Sequence, residues 1–205
     1  MKEKIIEFYV NKFNYLTSFD ETDVSFLPPI IRRRLSNLDK AVISLLNKTI
    51  CENTQNIVFS SRFGEEERLL KIIEQYTIEK EVSPNTFSGS VHNYPVGFFL
   101  LNSKKPIPYN ALSAAENTIS SGILSTIISN FENVTFCYCD IYNDNLFAFA
   151  FSISKNKSSK EKYKLIIKNN KSKNDTFENY VEFFKGNLKN INADIFSIEK
   201  VENEN

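Results

Sequence analysis

The sequence predicts an α/β protein, a mixed sheet layered with helices, and two observations carry that prediction. Residues 56–61 (NIVFSS) form a short apolar run ending in small polar residues, which suits a buried parallel strand. A turn at Arg62-Phe63-Gly64 then leads into a segment opened by Glu65, Glu66 and Glu67, the charges a helix N-terminus favours. Further on, residues 134–141 (VTFCYCDI) and 146–154 (LFAFAFSIS) alternate with period two on either side of the turn-rich Tyr142-Asn143-Asp144-Asn145, which predicts a hairpin. The βα unit argues for parallel pairing and the hairpin for an antiparallel edge.

The elements follow in order. Residues 5–16 fit either a strand or a short helix, and the aromatic spacing does not decide between them. Residues 20–24 are polar and read as a loop. Leu27-Pro28-Pro29 stops any regular element, and a helix is expected just beyond the prolines. Its stripe is Ile31, Leu35, Leu38, Val42, Leu45 and Leu46. In the helix after Glu65, the spacing assigns Leu69, Leu70, Ile73 and Tyr76 to the buried face. Ala115, Ile119, Gly122, Ile123 and Ile127 mark another helix. Gly122 costs about 1 kcal/mol there relative to Ala, tolerable where another backbone comes close. Residues 155–162 read as a lysine-rich loop and 163–167 as a strand. Phe177, Tyr180, Val181, Phe184 and Leu188 line a last helix, and the tail VENEN is expected to fray.

With 205 residues, 41% of them hydrophobic, residues 1–205 are expected to form one domain. Eighteen Phe and nine Tyr with no Trp and one Met predict a core filled by rings. The 25 basic and 25 acidic side chains cancel, so no global field draws nucleic acid or an anionic membrane. The N-terminal MKEKIIEFYVNKFNYL lacks the continuous apolar stretch of a signal peptide, and no run approaches the ~18 residues of a membrane span. Three cysteines suit a reducing cytoplasm. Cys137 and Cys139 share one strand face and read as core residues. With one histidine in the chain, no metal site and no cofactor is expected.

A site, or the relic of one, is expected in residues 83–122, which hold the only histidine, His92, three of the five glycines and four of the six prolines. There the chain resembles a known family. The resemblance is carried, in order, by residues 27–36 (LPPIIRRRLS), 57–65 (IVFSSRFGE), 83–93 (SPNTFSGSVHN) and 111–118 (ALSAAENT). It spans about residues 27–154 and leaves 155–205 as an unassigned C-terminal extension. These pieces resemble the β-ketoacyl synthase-like N-terminal domain family, short proteins known as ketosynthase chain-length factors of aryl-polyene and related pigment clusters. The resemblance implies a thiolase-like fold, the N-terminal half of a condensing enzyme. In that half a βαβαβ unit leads to a nucleophilic Cys at the start of a buried helix, where the helix N-terminus stabilises the thiolate.

The corresponding turn here, Ala114-Ala115-Glu116-Asn117-Thr118, contains no cysteine, and Glu116 falls closest to the nucleophile position. His92 does not correspond to either catalytic histidine of a ketosynthase, both of which belong to the C-terminal half. A condensation needs an acyl-carrying thiol and groups that stabilise the enolate, and the chain offers no such set. The resemblance therefore implies a subunit, not an enzyme on its own, that pairs as a heterodimer with an active β-ketoacyl carrier-protein synthase in fatty acid or polyketide biosynthesis. Ser90, His92, Asn93, Glu116, Asn117 and Thr118 would face the partner or the shared tunnel. Arg32, Arg33 and Arg34 are either solvated or internally paired, or meet carboxylates or phosphates on a partner such as an acyl carrier protein; the lysine run 155–173 is either simply solvated or docks an acidic carrier protein. Glu116 is either a placeholder for the nucleophile or a first-turn charge of its helix. The competing reading is a small acyl-thioester hydrolase using Ser113 and His92, or a malonyl-thioester decarboxylase using Glu116. No G-x-S-x-G elbow surrounds Ser113.

Overall fold

In a computed structural model, residues 4–156 and 160–201 are described. The chain opens with β1 (Lys4–Leu16), so the undecided N-terminal segment is a strand. A 3-10 turn (Phe19–Glu21) leads to α1 (Pro29–Arg32) and α2 (Asn37–Thr49). Then come β2 (Asn56–Ser60), α3 (Glu66–Glu79), α4 (Pro84–Gly89), α5 (Tyr94–Ser103) and β3 (Tyr109–Leu112). A second 3-10 turn (Ala115–Asn117) enters α6 (Thr118–Ile128). The rest is β4 (Asn133–Tyr142), β5 (Asn145–Ser154), β6 (Glu161–Ile167), α7 (Phe177–Phe184), β7 (Asn190–Asn192) and β8 (Phe196–Lys200).

Among the described residues, eight strands join one sheet in the order β3-β2-β4-β5-β1-β6-β8-β7. Pairing is parallel among β3, β2 and β4 and antiparallel from β4 onward, the mixture the sequence predicts. Asn143 and Asp144 both have positive φ, 49° and 60°, as a two-residue type I′ hairpin requires. The long β1 serves two neighbours, β6 through its first half and β5 through its second, with a bulge between Val10 and Lys12.

Period-two alternation divides the strands between two cores. Cys137, Cys139, Ala148, Ala150 and Phe59 face α2 and α5, where Leu38, Val42, Leu45, Leu46, Val96 and Phe99 pack. Small strand residues there leave room for the branched helix side chains. Phe136, Tyr138, Phe149, Phe151 and Val58 face the other way, toward Ile123 and Ile127 of α6 and Tyr180, Val181, Phe183 and Phe184 of α7. The C-terminal extension thus supplies three strands and, in α7, a helix over the same sheet face as α6. Gly122 belongs to this contact: a Cβ there would lie 2.5 Å from Phe136 Cε2 and 2.8 Å from Ser60 Oγ. Strand side chains, rather than another backbone, come close.

Several expectations need correction. The helix expected from Pro29 onward is two helices, because Ser36 takes up an extended backbone (ψ 173°) and caps α2. Its side chain accepts from the Asp39 amide while Asp39 accepts from the Ser36 amide, a reciprocal capping box. On α3, Leu69, Leu70, Ile73 and Tyr76 are 50%, 59%, 54% and 55% exposed, and Ile72 is the buried residue. The last helix ends at Phe184, with Gly186 at φ 89°, so Leu188 lies beyond it. Strand β6 starts at Glu161, inside the expected loop, of which residues 157–159 lie outside the described residues. Within the tail, residues 202–205 also lie outside them. Strands β7 and β8 were not anticipated.

Candidate functional site

Ligand crevices of α/β sheets form at the C-terminal ends of parallel strands, and here β2 and β3 end side by side. The loop after β2 is fixed from below by the buried carboxylate of Asp140 on β4. It accepts from Ser61 Oγ at 2.6 Å, from the Arg62 amide at 2.9 and 3.0 Å, and from the Phe63 amide at 3.1 Å. Backbone amides thus hold a buried charge that water would otherwise solvate. Ser61 Oγ in turn accepts from the Gly64 amide at 2.8 Å. Gly64 has φ +58°, and a Cβ there would come 3.0 Å from His92 Cδ2, so both the backbone and the space call for glycine.

His92, half-buried between α4 and α5, reaches this loop. Its Nε2 lies 2.9 Å from the Ser61 carbonyl oxygen. A carbonyl only accepts, so Nε2 carries the proton and donates. The ring also packs against Phe59, with centroids 5.4 Å apart. The neighbouring residues act similarly. Asn93 Nδ2 donates to the Tyr109 hydroxyl at 3.2 Å, and Ser90 Oγ donates to the Phe87 carbonyl at 2.8 Å.

After β3, Ser113 is exposed and donates to the Arg62 carbonyl at 3.3 Å. The turn into α6 is drawn around buried Thr118. Its Oγ1 accepts from the Ala114 amide at 3.0 Å and donates to the Ala115 carbonyl at 2.7 Å, while Ala115 takes φ +50°. Glu116 and Asn117 project outward from this turn and are exposed. Ser113 and His92 each donate to a backbone carbonyl of the β2 loop rather than to each other. Among the described residues, no three His, Cys, Asp or Glu side chains gather as a metal ion would need. No thiol is near this turn by sequence. Cys137 and Cys139 are buried in β4, where desolvation pushes both thiols well up, and Cys51 lies 3.3 Å from Ser152 Oγ.

Beside this site lies a cluster that sequence reasoning missed. Arg68 on α3 reaches Asp39 Oδ2 at 2.6 Å, the Arg34 carbonyl at 2.9 Å and the Gly89 carbonyl at 2.7 Å, with Glu65 Oε2 3.5 Å from its Nε. Ser36 Oγ donates to Glu65 Oε1 at 2.7 Å. One guanidinium therefore serves two buried carboxylates. Burial first, and then the Asp39 charge, raises the Glu65 carboxyl to about 8; burial also raises Asp39 against the pull of Arg68. The cluster ties α1, α2, α3 and α4 together beneath the helices that precede β3. The S-x-x-D box at Ser36 and the i,i+3 spacing of Glu65 and Arg68 were the available signals. Arg32, Arg33 and Arg34 sit at the α1–α2 corner. Arg33 and Arg34 are exposed, Arg32 is half-buried, and its Nε is buried with no hydrogen-bond partner.

The comparisons with known proteins bear on this arrangement. Residues 11–146 match the model of the family described as beta-ketoacyl synthase, N-terminal domain. Among solved structures, the chain is similar to one from Xenorhabdus doucetiae, of the ketosynthase ApeO in complex with its chain length factor ApeC. Identity is 17% and the TM-score 0.68, covering 98% of this chain and 100% of the matched one. A second similar structure is the ishigamide ketosynthase/chain length factor, at 9% identity and TM-score 0.53, covering 72% of this chain and 51% of the other. No curated protein matches.

Proposed function

Since the chain belongs to the β-ketoacyl synthase N-terminal domain family, we propose that it is a chain length factor of the aryl-polyene type. It is a subunit without condensing activity that pairs with an active β-ketoacyl carrier-protein synthase and shapes the space in which the product grows. One observation carries the reading. The turn that enters α6, where the family's condensing members place their nucleophile, presents Glu116 and Asn117 and no thiol, while the cysteines of β4 are buried and protonated. A protonated thiol sealed in a core does not carry an acyl group. The two solved structures named above, each a ketosynthase with a chain length factor, support a partner of that kind.

In this reading Glu116, Asn117 and Thr118, together with Ser90, His92 and Asn93, stand on the side toward the partner. His92 and Asn93 hold the β2 loop and β3 in position. Arg33 and Arg34 are the exposed cations that would meet an acidic carrier protein, and the complex works in the cytoplasm.

The test is co-expression with a ketosynthase and its carrier protein. The two subunits are expected to co-purify, and Glu116→Gln to leave both the complex and its product unchanged. Release of free acid from an acyl carrier by the isolated chain, abolished by His92→Ala or Ser113→Ala, would overturn the proposal in favour of a hydrolase. Loss of product with Glu116→Gln while the complex survives would assign that carboxylate a chemical step.

A further inference from the structure

Helix α3 runs fourteen residues and buries one side chain, Ile72. Glu66, Leu69, Ile73, Tyr76 and Lys80 follow one another at spacings of 3, 4, 3 and 4, the a/d alternation of two heptads. All five are exposed on one stripe, flanked by Leu70. The seam therefore reads acid, Leu, Ile, Tyr, base, with an apolar centre and opposite charges at its ends. Lys80 closes the helix with φ +61°, and its Nζ lies 5.7 Å from the centroid of the Tyr76 ring, at the seam's end. Lys71 is already engaged, 2.5 Å from Glu67, away from the seam.

An apolar helix stripe left to solvent marks a contact surface, and the end charges say what fits it. Ile73 is the midpoint between Glu66 and Lys80. An antiparallel pairing about Ile73 sets each Glu66 against the partner's Lys80 and opposes the two helix dipoles. A parallel pairing would set like charge on like at both ends. Self-complementarity of this kind is what a two-fold interface demands. We propose that α3 is a self-association face through which two copies of this chain pair antiparallel, with Leu69, Ile73 and Tyr76 interleaved between Glu66–Lys80 pairs. The proposal does not depend on the chain length factor reading.

Two heptads make a short seam, so a dissociation constant of about 10–100 µM is expected. Sedimentation velocity of the full chain from about 10 to about 500 µM should show monomer giving way to dimer. Ile73→Asp, exposed in the monomer and checked for retained fold by circular dichroism, should leave monomer throughout. Lys80→Glu should weaken the dimer about tenfold or more, and adding Glu66→Lys should restore it, since the reversed pair meets again across the two-fold. Monomer at every concentration would overturn the proposal, as would a dimer indifferent to Ile73→Asp or a double variant no better than the single. If the chain stays monomeric but Ile73→Asp abolishes co-purification with a ketosynthase, the face belongs to that partner instead, and self-association is refuted.

Discussion

The middle of the sheet and its β3 edge handle apolar side chains in opposite ways. Around β5, β1 and β6, rings are buried in bulk: Phe149 alone contacts Phe13, Phe136, Tyr138, Phe151, Phe177, Tyr180 and Phe184 at centroid distances of 5.7–6.5 Å. Around β3 and the helices that precede it, Leu69, Leu70, Ile73, Tyr76, Phe87 and Leu101 stand at half exposure or more. The first region spends its apolar surface on folding. The second keeps it at the surface, next to the loops that form the candidate site, and is held in place by a polar cluster around Arg68. Stability and interaction are thus separated along the sheet, and substitutions in the two regions should separate in their effects.

The largest loss of stability is expected in the ring-filled middle of the sheet. Phe149→Ala should cost about 4 kcal/mol, read as a fall in the urea midpoint, because its buried neighbours cannot collapse into the space. Arg68→Ala should cost about 3 kcal/mol through a different cause, the Asp39 carboxylate left buried without its guanidinium. An intact urea midpoint in that variant would mean the cluster does not hold the β3 end together. Gly122→Ala should cost about 1–3 kcal/mol, since the added methyl overlaps the Phe136 ring and Ser60 on the fully packed face.

A smaller effect follows from Glu65. Its carboxyl is raised from 4.5 to about 8 in the fold, so the folded chain holds a proton that the unfolded chain releases. That contribution to stability is full below pH 4.5 and is lost as pH rises toward 8. Asp39, also raised, acts with the same sign. Between pH 5 and 9 the exposed carboxylates with lowered values, such as Glu182, are ionised in both states and do not contribute. Urea unfolding should therefore show a loss on the order of 1–3 kcal/mol across that window, reduced in Glu65→Gln. Equal slopes in the two proteins would mean that Glu65 is ionised in the fold. Smallest of all, Ile73→Ala should move stability by less than about 0.5 kcal/mol, although the same position governs self-association. A large destabilisation there would erase the distinction between the two regions.

Much of this was legible before the structure. The pattern of residues 134–154 specified both strands and the turn between them, because period two with Asn-Asp at the tip leaves few alternatives. That residues 114–118 hold no cysteine was legible directly, since a side chain that is not encoded cannot be supplied by folding. The placement of Glu116 on an exposed turn and of His92 on the Ser61 carbonyl was not, nor was the Asp140 anchor, 79 positions from Ser61. Strands β7 and β8 are three and five residues long, too short for periodicity to stand out.

The sequence by itself determined the apolar side of most helices and of the β4–β5 hairpin, where turns break the chain, and that the turn before α6 carries no thiol. Only the tertiary structure decided where those apolar sides go. The spacing of Leu69, Ile73 and Tyr76 is indistinguishable from that of a core helix, yet the stripe faces solvent, while Asp39, Glu65 and Arg68 go inside. The physical reason is that periodicity is a local property of backbone geometry, whereas burial depends on which elements meet, and ion pairs between distant positions can outweigh the local pattern when they fix how α3 is turned.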